Sequence, residues 1–262
     1  MMKIATYNVW NETGNLDIRT EQLIQEINKA DADIIGLQEV MPSFWENLKE
    51  CIDYKYCIYR MFESRGDGLA VLSRYPFESD FFLYDSVEFQ NSLALNVTFK
   101  TEGVNFSLTN VHLPWDSVIA KEKQTVAINE YARGQRETAQ YFVLLGDFNC
   151  SSQSSVHNFL IGEQSLLGCE ANPVWYDLAE VYASKNERYS IAPTLDFNSN
   201  PRWDGKDRKY VPVACDRVYL MDNAESGDWG IRCVGVFGTD VSSSTGLCPS
   251  DHYGVLTQVD FW

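Results

Sequence analysis

Tyr141–Asn149 reads YFVLLGDFN, and this stretch decides the fold. It begins with apolar residues and ends in a glycine, an aspartate and an asparagine. A short apolar run that stops at turn-forming residues is typical of a strand buried on both faces of a sheet. The polar residues at its end lie where a rigid sheet presents side chains to the surrounding loops. The stretch therefore predicts a central strand with functional side chains at one end.

The same arrangement recurs at four other points of the chain. In each of them a carboxylate, carboxamide or imidazole stands at or near the end of a strand-like run. The four stretches are TYNVW at Thr6–Trp10, LQEV at Leu37–Val40, NVHLP at Asn110–Pro114 and SDHY at Ser250–Tyr253. Strand ends deliver such groups to the rim of a sheet. We therefore expect one site assembled from five separate segments.

Hydrophobic periodicity predicts the elements between these segments. Strands are predicted at Lys3–Val9, Asp33–Gln38, Leu69–Ser73, Leu93–Phe99, Val104–Val111, Tyr141–Leu145, Arg217–Leu220, Ile231–Phe237 and Tyr253–Val259. Helices are predicted at Ile18–Asn28 (capped by Asp17), Phe44–Cys51, Asp116–Ala132 (capped by Asp116), Ser154–Leu160 and Trp175–Tyr182. The mixture predicts an α/β (α+β) protein whose two sheets pack on each other under outer helices. No repeat or linker interrupts it, so residues 1–262 are predicted to form a single domain.

Composition limits the classes of function. The 262 residues include 21 Lys and Arg against 37 Asp and Glu, a formal charge of −16. A chain of this length and ordinary apolar content can bury a large core, which excludes a disordered chain or a fibre. The negative charge disfavours tight, sequence-independent binding of nucleic acid. It does not exclude a phosphate-bearing substrate, because a divalent cation reverses the sign of the local field.

Cysteine usage and hydropathy bear on the compartment. The seven cysteines are odd in number and form no Cys-x-x-Cys pair, which favours reduced thiols. The sequence shows no secretory signal and no apolar run of membrane-spanning length. We therefore expect a cytoplasmic protein, monomeric and without membrane insertion.

Each polar residue taken singly also has a structural interpretation. Glu39 could be a solvated strand end, and His112 a satisfied interior histidine. Asp147 and Asn149 could form an Asx turn around the phenylalanine between them. His157 belongs to none of the motifs and is predicted to lie on the surface.

Together the polar residues favour one narrow chemistry. Carboxylates and a carboxamide, from Glu39, Asp251 and Asn8, suit Mg²⁺ or Mn²⁺. Imidazoles and Asn149 can donate to phosphate oxygens, and a free carboxylate can accept a proton from water. The set therefore predicts metal-assisted attack of water on a phosphoester. The Gly-x-Ser-x-Gly turn of serine hydrolases and the Gly-x-x-x-x-Gly-Lys loop of nucleotide-binding proteins are both absent.

The ordered motifs also resemble a known family. The motifs are TYNVW, LQEV, GLAVLSRYP, NVHLPW, LLGDFN, CDRVYL and PSDHYGV, and they span Lys3 to about Val259. Together they resemble the endonuclease/exonuclease/phosphatase superfamily of magnesium-dependent phosphoesterases. The superfamily includes abasic-site endonucleases, deoxyribonuclease I, sphingomyelinases, inositol polyphosphate 5-phosphatases and 5′-tyrosyl-DNA phosphodiesterases, and the chain is most similar to the last branch. The resemblance implies a four-layer α/β-β/α sandwich.

The resemblance implies a metal site on three of the residues. Glu39 matches the principal ligand of the metal. Asn8 matches the carboxamide that helps to hold the metal site and the phosphate. Asp251 matches a carboxylate of the same site. The family uses Mg²⁺ or Mn²⁺, with one ion or two.

The resemblance also implies roles around the phosphate. Asp147 matches the base or the residue that orients the attacking water, and Asn149 a donor to the phosphate. His252 matches the phosphate-binding histidine, with Asp216 as its orienting partner. His112 matches a histidine that contacts the phosphate from the opposite side in part of the superfamily.

The substrate depends on the loops. The loop at 198–210 holds four basic residues and is either a solvated surface or a cationic arm that steers a phosphate-rich ligand. From it we select Arg202 and Arg208 as candidate substrate contacts, together with Trp115. Leu195 stands where the tyrosyl-DNA branch has an aromatic residue, which disfavours a DNA adduct, as does the net charge.

Three kinds of function therefore stay open. The first is a phosphodiesterase acting on a small or locally held substrate. The second is a DNA-repair enzyme acting on DNA or 5′-tyrosyl-DNA adducts, or a sphingomyelinase- or inositol-phosphatase-like enzyme. The third is a binding module without catalysis, which the presence of the complete polar set argues against.

Overall fold

The computed structural model describes the chain except residues 15, 63–64, 84–93, 102–103, 136, 206–209, 224 and 226. The strands are β1 (Met2–Asn8), β2 (Ile34–Val40), β3 (Tyr56–Met61), β4 (Gly68–Ser73), β5 (Phe77–Leu83), β6 (Ala94–Thr101), β7 (Val104–His112), β8 (Tyr141–Asp147), β9 (Tyr176–Asp177), β10 (Asp216–Asp222), β11 (Trp229–Phe237) and β12 (Gly254–Phe261). The helices are α1 (Leu16–Ala30), α2 (Pro42–Cys51), α3 (Val118–Gly134), α4 (Ser155–Leu160) and α5 (Leu178–Lys185), with a 3₁₀ turn at Pro201–Trp203. No helix in these ranges is long and apolar enough to span a bilayer.

The strands form two six-stranded sheets of mixed direction. The first has the order β11-β12-β1-β2-β4-β3, and the second β5-β6-β7-β8-β10-β9. One buried cluster lies between the sheets, and two more lie under the outer helices: α1 and α2 cover the first sheet, while α3 and α4 cover the second. The result is a layered α/β sandwich, as predicted.

Strand β8 shows why the central strands read as continuous apolar runs. Tyr141, Val143 and Leu145 point into the cluster between the sheets. Phe142 and Leu144 point the other way, under α3 and α4. Because both faces of the strand are covered, both sets of alternating positions are apolar. The prediction of a doubly buried strand is confirmed.

A buried polar contact joins the two sheets close to the polar strand ends. The Gln38 side-chain amide donates to Asn110 Oδ1 at 2.6 Å, and Asn110 Nδ2 donates to the carbonyls of Leu37 and Ala70, each at 2.9 Å. Gly36 permits this approach, since a Cβ there would stand 2.3 Å from a methyl carbon of Leu145. Unpaired amides would be costly in this interior, so the contact fixes the register of one sheet on the other.

The nine predicted strands are all present, with ends that shift by a few residues. Strands β3, β5 and β9 were not predicted. Strand β9 has two residues and β5 has polar residues inside its apolar pattern, whereas β3 begins with the apolar run YCIY and was overlooked.

Three details of the predicted helices are wrong. Helix α3 is capped by Ser117, whose hydroxyl accepts the Ala120 N–H, and not by Asp116. Asp17 lies inside the first turn of α1, where its charge suits the helix dipole. Helix α5 begins only at Leu178, because the two residues before it pair with β10.

Candidate active site

The polar strand ends converge through strand register. Strand β1 runs parallel to β2, with Asn8 beside Gln38, and β7 runs parallel to β8, with His112 beside Asp147. Strand β10 begins at Asp216, directly opposite Asp147. Parallel neighbours end at the same edge, so the side chains of both sheets collect at one rim. The five predicted segments therefore meet in one place.

Left-handed backbone conformations occur at three residues around the cleft. Glu39, Asn149 and Trp10 all have positive φ, at 58°, 49° and 61°. Left-handed backbone at residues other than glycine is strained and clusters at functional sites. Gly146 is required, because it has a φ of 142° and a Cβ there would lie 1.9 Å from the Val111 carbonyl oxygen.

Asn8 stands between the two sheets. Its Nδ2 donates to Glu39 Oε1 at 3.1 Å and to Asp147 Oδ2 at 3.0 Å, and so bonds a carboxylate from each sheet. Its Oδ1 accepts the Trp10 N–H at 3.0 Å. Asn8 orients the two carboxylates by its amide hydrogens, and its oxygen, which has two lone pairs, keeps one of them for a further partner. The contribution of Asn8 to a metal site stays a prediction.

Asp147 is the central carboxylate and is fully buried. Its Oδ1 accepts the Asn149 N–H at 2.8 Å. Burial and the nearby charge of Asp216 raise the pKa of Asp147, and the two histidines of the cleft oppose this rise. Asn149 Nδ2 donates to the Leu113 carbonyl at 2.9 Å and only weakly, at 3.3 Å, to Asp147. One Asn149 hydrogen is therefore available to another acceptor.

His252 and Asp216 form a buried pair. His252 Nδ1 lies 2.9 Å from Asp216 Oδ2, and its Nε2 faces Asp147 Oδ2 at 3.9 Å. Burial lowers the pKa of His252, but the carboxylates of Asp216 and Asp147 outweigh it and raise that pKa above the ordinary value. The pair therefore favours the charged imidazole, with one nitrogen anchored and the other directed into the site.

His112 approaches from the opposite side. Its Nε2 lies 3.7 Å from both Glu39 Oε1 and Asp147 Oδ2. Its Nδ1 is buried and has no hydrogen-bond partner within the described residues. His112 and His252 thus each place an Nε2 atom within 4 Å of Asp147 Oδ2, while a contact of His112 with a phosphate stays a prediction.

Glu39 and Asp251 complete the acidic set. Burial raises the pKa of Asp251 to about 6; His252 opposes this effect, and Glu39 and Asp147 add to it. Burial also acts to raise the pKa of Glu39, but His112 and the amide donors Asn11 and Asn8 outweigh it, so that pKa is lowered.

The donor set suits a hard divalent cation. Four carboxylates, those of Glu39, Asp147, Asp216 and Asp251, converge on two imidazoles. One oxygen of Asp216 is buried without a donor in the described part of the chain. Among the described residues of the cluster of Asp147, Asp216 and His252, the one soft donor is the Cys215 thiol. Burial and the adjacent carboxylates raise the pKa of Cys215, so it stays a neutral thiol. Oxygen ligands therefore dominate, as Mg²⁺ and Mn²⁺ require.

The candidate substrate contacts have different surroundings. Arg202 is half-buried: its Nε donates to the Cys248 carbonyl at 2.6 Å, and its guanidinium lies 4.9 Å from the Trp10 ring centroid. Trp115 is 76% exposed, directly after β7 and the proline that follows it. Arg208 lies outside the described residues.

The prediction that His157 lies on the surface is wrong. His157 is 2% exposed; its Nδ1 lies 2.8 Å from the Tyr219 hydroxyl, and its Nε2 lies 3.2 Å from Glu180 Oε1. Asp177 caps α5 and forms an ion pair with Arg217 beside this group. We call these five residues the closed network.

Several supporting residues were missed in the sequence. The Asn11 N–H donates to Glu39 Oε2 at 2.9 Å, and its side chain donates to Asp67. Ser250 Oγ donates to the Asn8 carbonyl at 2.7 Å and accepts the His252 N–H. Thr194 Oγ1 accepts the N–H groups of both residues that begin the Asp216 segment. Of these residues, Asp67 could have been selected from the sequence, because it stands directly before the apolar strand β4.

Comparison with known proteins identifies the family of the chain. Residues 5–252 match the sequence profile of the Endonuclease/Exonuclease/phosphatase family. No curated protein matches the chain at a significant level.

Several solved structures share the fold. One is D. rerio TDP2 complexed with single-strand DNA product, at 17% identity and a TM-score of 0.80, covering 99% of this chain and 98% of that one. Another is a conserved protein of unknown function from Enterococcus faecalis V583, at 24% identity and 0.76, covering both chains completely. A third is a mannosyl-6-phosphatase from Bacteroides thetaiotaomicron, at 19% and 0.76, again over both chains.

Proposed function

Because this chain belongs to the endonuclease/exonuclease/phosphatase family, we propose that it is a divalent-metal-dependent hydrolase that cleaves a phosphodiester bond by in-line attack of water. One observation carries the proposal: Asn8 bonds Glu39 of one sheet and Asp147 of the other. A fold without catalysis has no need to bury this many like charges together, since burial of unpaired carboxylates is costly. The excess negative charge indicates a cation as part of the working site.

In the proposed site Glu39 and Asp251 hold the cation, and Asn8 with the Asn11 N–H keeps Glu39 in place. When bound, a divalent cation supplies positive charge that stabilises the phosphate in the transition state. A cation bound there would also offset the burial, and the repulsion from Glu39 and Asp147, that raise the pKa of Asp251. Mg²⁺ and Mn²⁺ are the ions that this oxygen set favours.

Asp147 is the proposed base. Its raised pKa makes it a better proton acceptor than an exposed aspartate, and its Oδ1 is anchored by the Asn149 N–H. The Asn149 side chain has one weakly engaged hydrogen for a phosphate oxygen. His252, held by Asp216, supplies a fixed cationic donor, and His112 a second donor from the other side. Fixed donors of this kind stabilise developing charge without reorganisation.

For the substrate we propose a small phosphodiester, or one held only near the cleaved bond. The net charge of −16 disfavours a long stretch of nucleic acid. Arg202 and Trp115 are the proposed contacts, together with Arg208, which stands six positions after Arg202 in the sequence. The fold of D. rerio TDP2 with single-strand DNA product supports a second candidate, cleavage of DNA or a DNA adduct. We further propose a cytoplasmic monomer, with residues 1–262 as one domain.

The test is hydrolysis of bis-p-nitrophenyl phosphate, p-nitrophenyl phosphate, single-stranded DNA and tyrosyl-DNA with Mg²⁺ or Mn²⁺. We expect the diester to be cleaved and EDTA to abolish the release of nitrophenol. A protein that binds Mn²⁺ yet cleaves none of the four substrates would contradict the proposal. Preference for a DNA substrate would favour the second candidate.

Glu39→Gln and Asp222→Asn make a matched pair for the cation. Both remove one largely buried carboxylate charge, but Asp222 lies at the opposite end of β10 from Asp216. We expect Glu39→Gln to raise the Mg²⁺ concentration needed for half-maximal rate by about 10–100-fold. Asp222→Asn should leave it unchanged. An identical Mg²⁺ titration for Glu39→Gln would remove its role as a ligand.

A further inference from the structure

Arg19 is a buried cation that belongs to none of the sequence motifs. It lies in α1 and is 1% exposed. Its guanidinium donates to four backbone carbonyls: Nε to Pro249 at 3.0 Å, one terminal nitrogen to Val9 and Trp10 at 2.8 Å each, and the other to Glu12. Burial lowers its pKa to about 10, and the nearby Arg202 adds to this effect.

The four carbonyls lie in two loops that are remote in sequence. Three belong to the turn that leaves β1, directly after Asn8. The fourth is Pro249, which starts the segment leading to Asp251 and His252. Ser250 bridges the same two loops, because its hydroxyl donates to the Asn8 carbonyl and accepts the His252 N–H. Arg19 and Ser250 thus join the two loops at neighbouring points.

The contact requires a guanidinium and not just any cation. A planar fork with five N–H donors can serve four carbonyls at once, whereas an ammonium has three donors around one point. The guanidinium also lies 4.9 Å from the centroid of the Trp10 ring, and Trp10 has the left-handed backbone of this turn. Arg19 therefore holds the turn in a conformation that the chain alone disfavours.

We propose that Arg19 is a positioning residue, which sets the distance between Asn8 and the Asp251–His252 segment and thereby aligns the cation site with the phosphate-binding histidine. This inference rests on the proposed function of the site. Arg19 itself touches neither substrate nor cation. Its effect passes through backbone carbonyls, and misplacement of about 1 Å can reduce a rate by about 10²-fold.

The test compares Arg19→Met, Arg19→Lys and the control Leu23→Ala. Leu23 lies in the same helix and is 1% exposed, but its side chain packs in the core under α1. The measurements are the melting temperature, the kcat and KM for bis-p-nitrophenyl phosphate well below it, and Mn²⁺ affinity by electron paramagnetic resonance. We expect all three variants to melt earlier. Only the two Arg19 variants should lose kcat and Mn²⁺ affinity, each by about 10–100-fold.

The Arg19→Lys variant should not retain wild-type kcat or Mn²⁺ affinity, since an ammonium cannot replace the guanidinium hydrogen bonds to four carbonyls. If Arg19→Met does not fold, Arg19→Lys still carries the test. Wild-type kcat and Mn²⁺ affinity in a folded Arg19 variant would overturn the proposal and reduce Arg19 to a stabilising residue. A wild-type protein that binds Mn²⁺ without hydrolysing any ester would contradict the proposed function instead, while Mn²⁺ affinity would still test the positioning role.

Discussion

Two buried clusters of carboxylates and histidine differ in charge balance: the closed network on the second sheet and the candidate active site at the rim of both sheets. In the closed network Asp177 faces Arg217, while His157 is bonded to both Tyr219 and Glu180. Two carboxylates there face one arginine and one histidine. In the candidate active site four carboxylates face two histidines, and among the described residues none of the four has an ion pair with Lys or Arg. Arg19 and Arg202 interact with Asp251 only at longer range.

The difference shows how to tell structural from functional burial. In the closed network Asp177 has a buried arginine partner and Glu180 lies beside His157, so its carboxylates are paired and it behaves as part of the core. The candidate site keeps a buried Asp216 oxygen and a buried His112 nitrogen without a partner in the described chain. The closed network also has one such atom, Arg217 Nε, so the clusters differ in whether their carboxylates have an arginine partner and not in unsatisfied atoms alone. Both clusters contain the residue types that bind metals, so composition alone does not separate them.

The largest expected effect is on stability, in the closed network. Arg217→Met removes the buried partner of Asp177, which leaves that charge unpaired. We expect a loss of about 3–5 kcal/mol in the free energy of unfolding. At a temperature where the variant is folded, its kcat should stay near that of the wild type. Urea denaturation and steady-state kinetics measure the two quantities, and a stable but inactive variant would make the closed network part of the catalytic site.

The next effect separates the two buried histidines. His252→Asn should reduce kcat by about 10²–10³-fold, because it removes a fixed donor to the phosphate. His157→Asn should instead lower the melting temperature and leave kcat normal, because its ring is bonded to Tyr219 and Glu180. Equal kcat values for the two variants would contradict the assignment of a catalytic role to His252 and a structural role to His157. Asp147→Ala should match His252→Asn in rate.

A third prediction concerns pH. Asp251 has its pKa raised to about 6, mainly by burial, so below pH 6 it is protonated and cannot hold a cation. Mn²⁺ affinity should therefore fall about tenfold per pH unit below pH 6 and level off above it. Because the pKa of Asp251 is raised, the folded protein loses stability as pH rises through 6 and this carboxyl ionises. Binding of Mg²⁺ needs the ionised carboxylate, so Mg²⁺ should raise the melting temperature more at pH 7.5 than at pH 5.

The Asp251→Asn variant is the control for the pH prediction. It should lose most of the Mg²⁺-dependent rise in melting temperature at both pH values. A rise of unchanged size and unchanged pH dependence in this variant would assign the titration to another group.

The smallest expected effect is at the rim of the cleft. Trp115→Ala should change the free energy of unfolding by less than about 0.5 kcal/mol, because the side chain is 76% exposed. Loss of an aromatic contact should raise KM several-fold with kcat unchanged. Trp262, 66% exposed, provides the matched control and should leave KM unaltered. An unchanged KM for Trp115→Ala would remove it from the substrate contacts.

The sequence predicted the layers and the main polar residues because both depend on local patterns. Apolar runs such as that of β8 predict doubly covered strands, and polar groups at their ends predict a shared rim. The parallel pairs then bring Asn8 to Gln38 and His112 to Asp147. The resemblance to the family supplied the roles, and the family is confirmed by the match over residues 5–252.

What the sequence missed depends on distant partners. His157 lies in a short helix whose periodicity does not show that Tyr219, 62 positions later, faces it. Arg19 looks like a surface residue of an amphipathic helix until the loop at Pro249 covers it. The direction of the Asn8 amide likewise depends on the Trp10 turn, whose positive φ no pattern of residue types predicts.

The contact between Gln38 and Asn110, which fixes one sheet on the other, also bears on which positions can tolerate substitution during evolution. Because each sheet contributes one carboxylate to Asn8, any substitution that shifts one sheet against the other also shifts the cleft. Residues between the sheets, such as Leu145 under Gly36, are thus constrained by the reaction although they lie outside the cleft. Residues under the outer helices, such as Leu23 and Phe159, face no such constraint. Sequence drift is therefore expected to be freer in the two outer layers than in the middle.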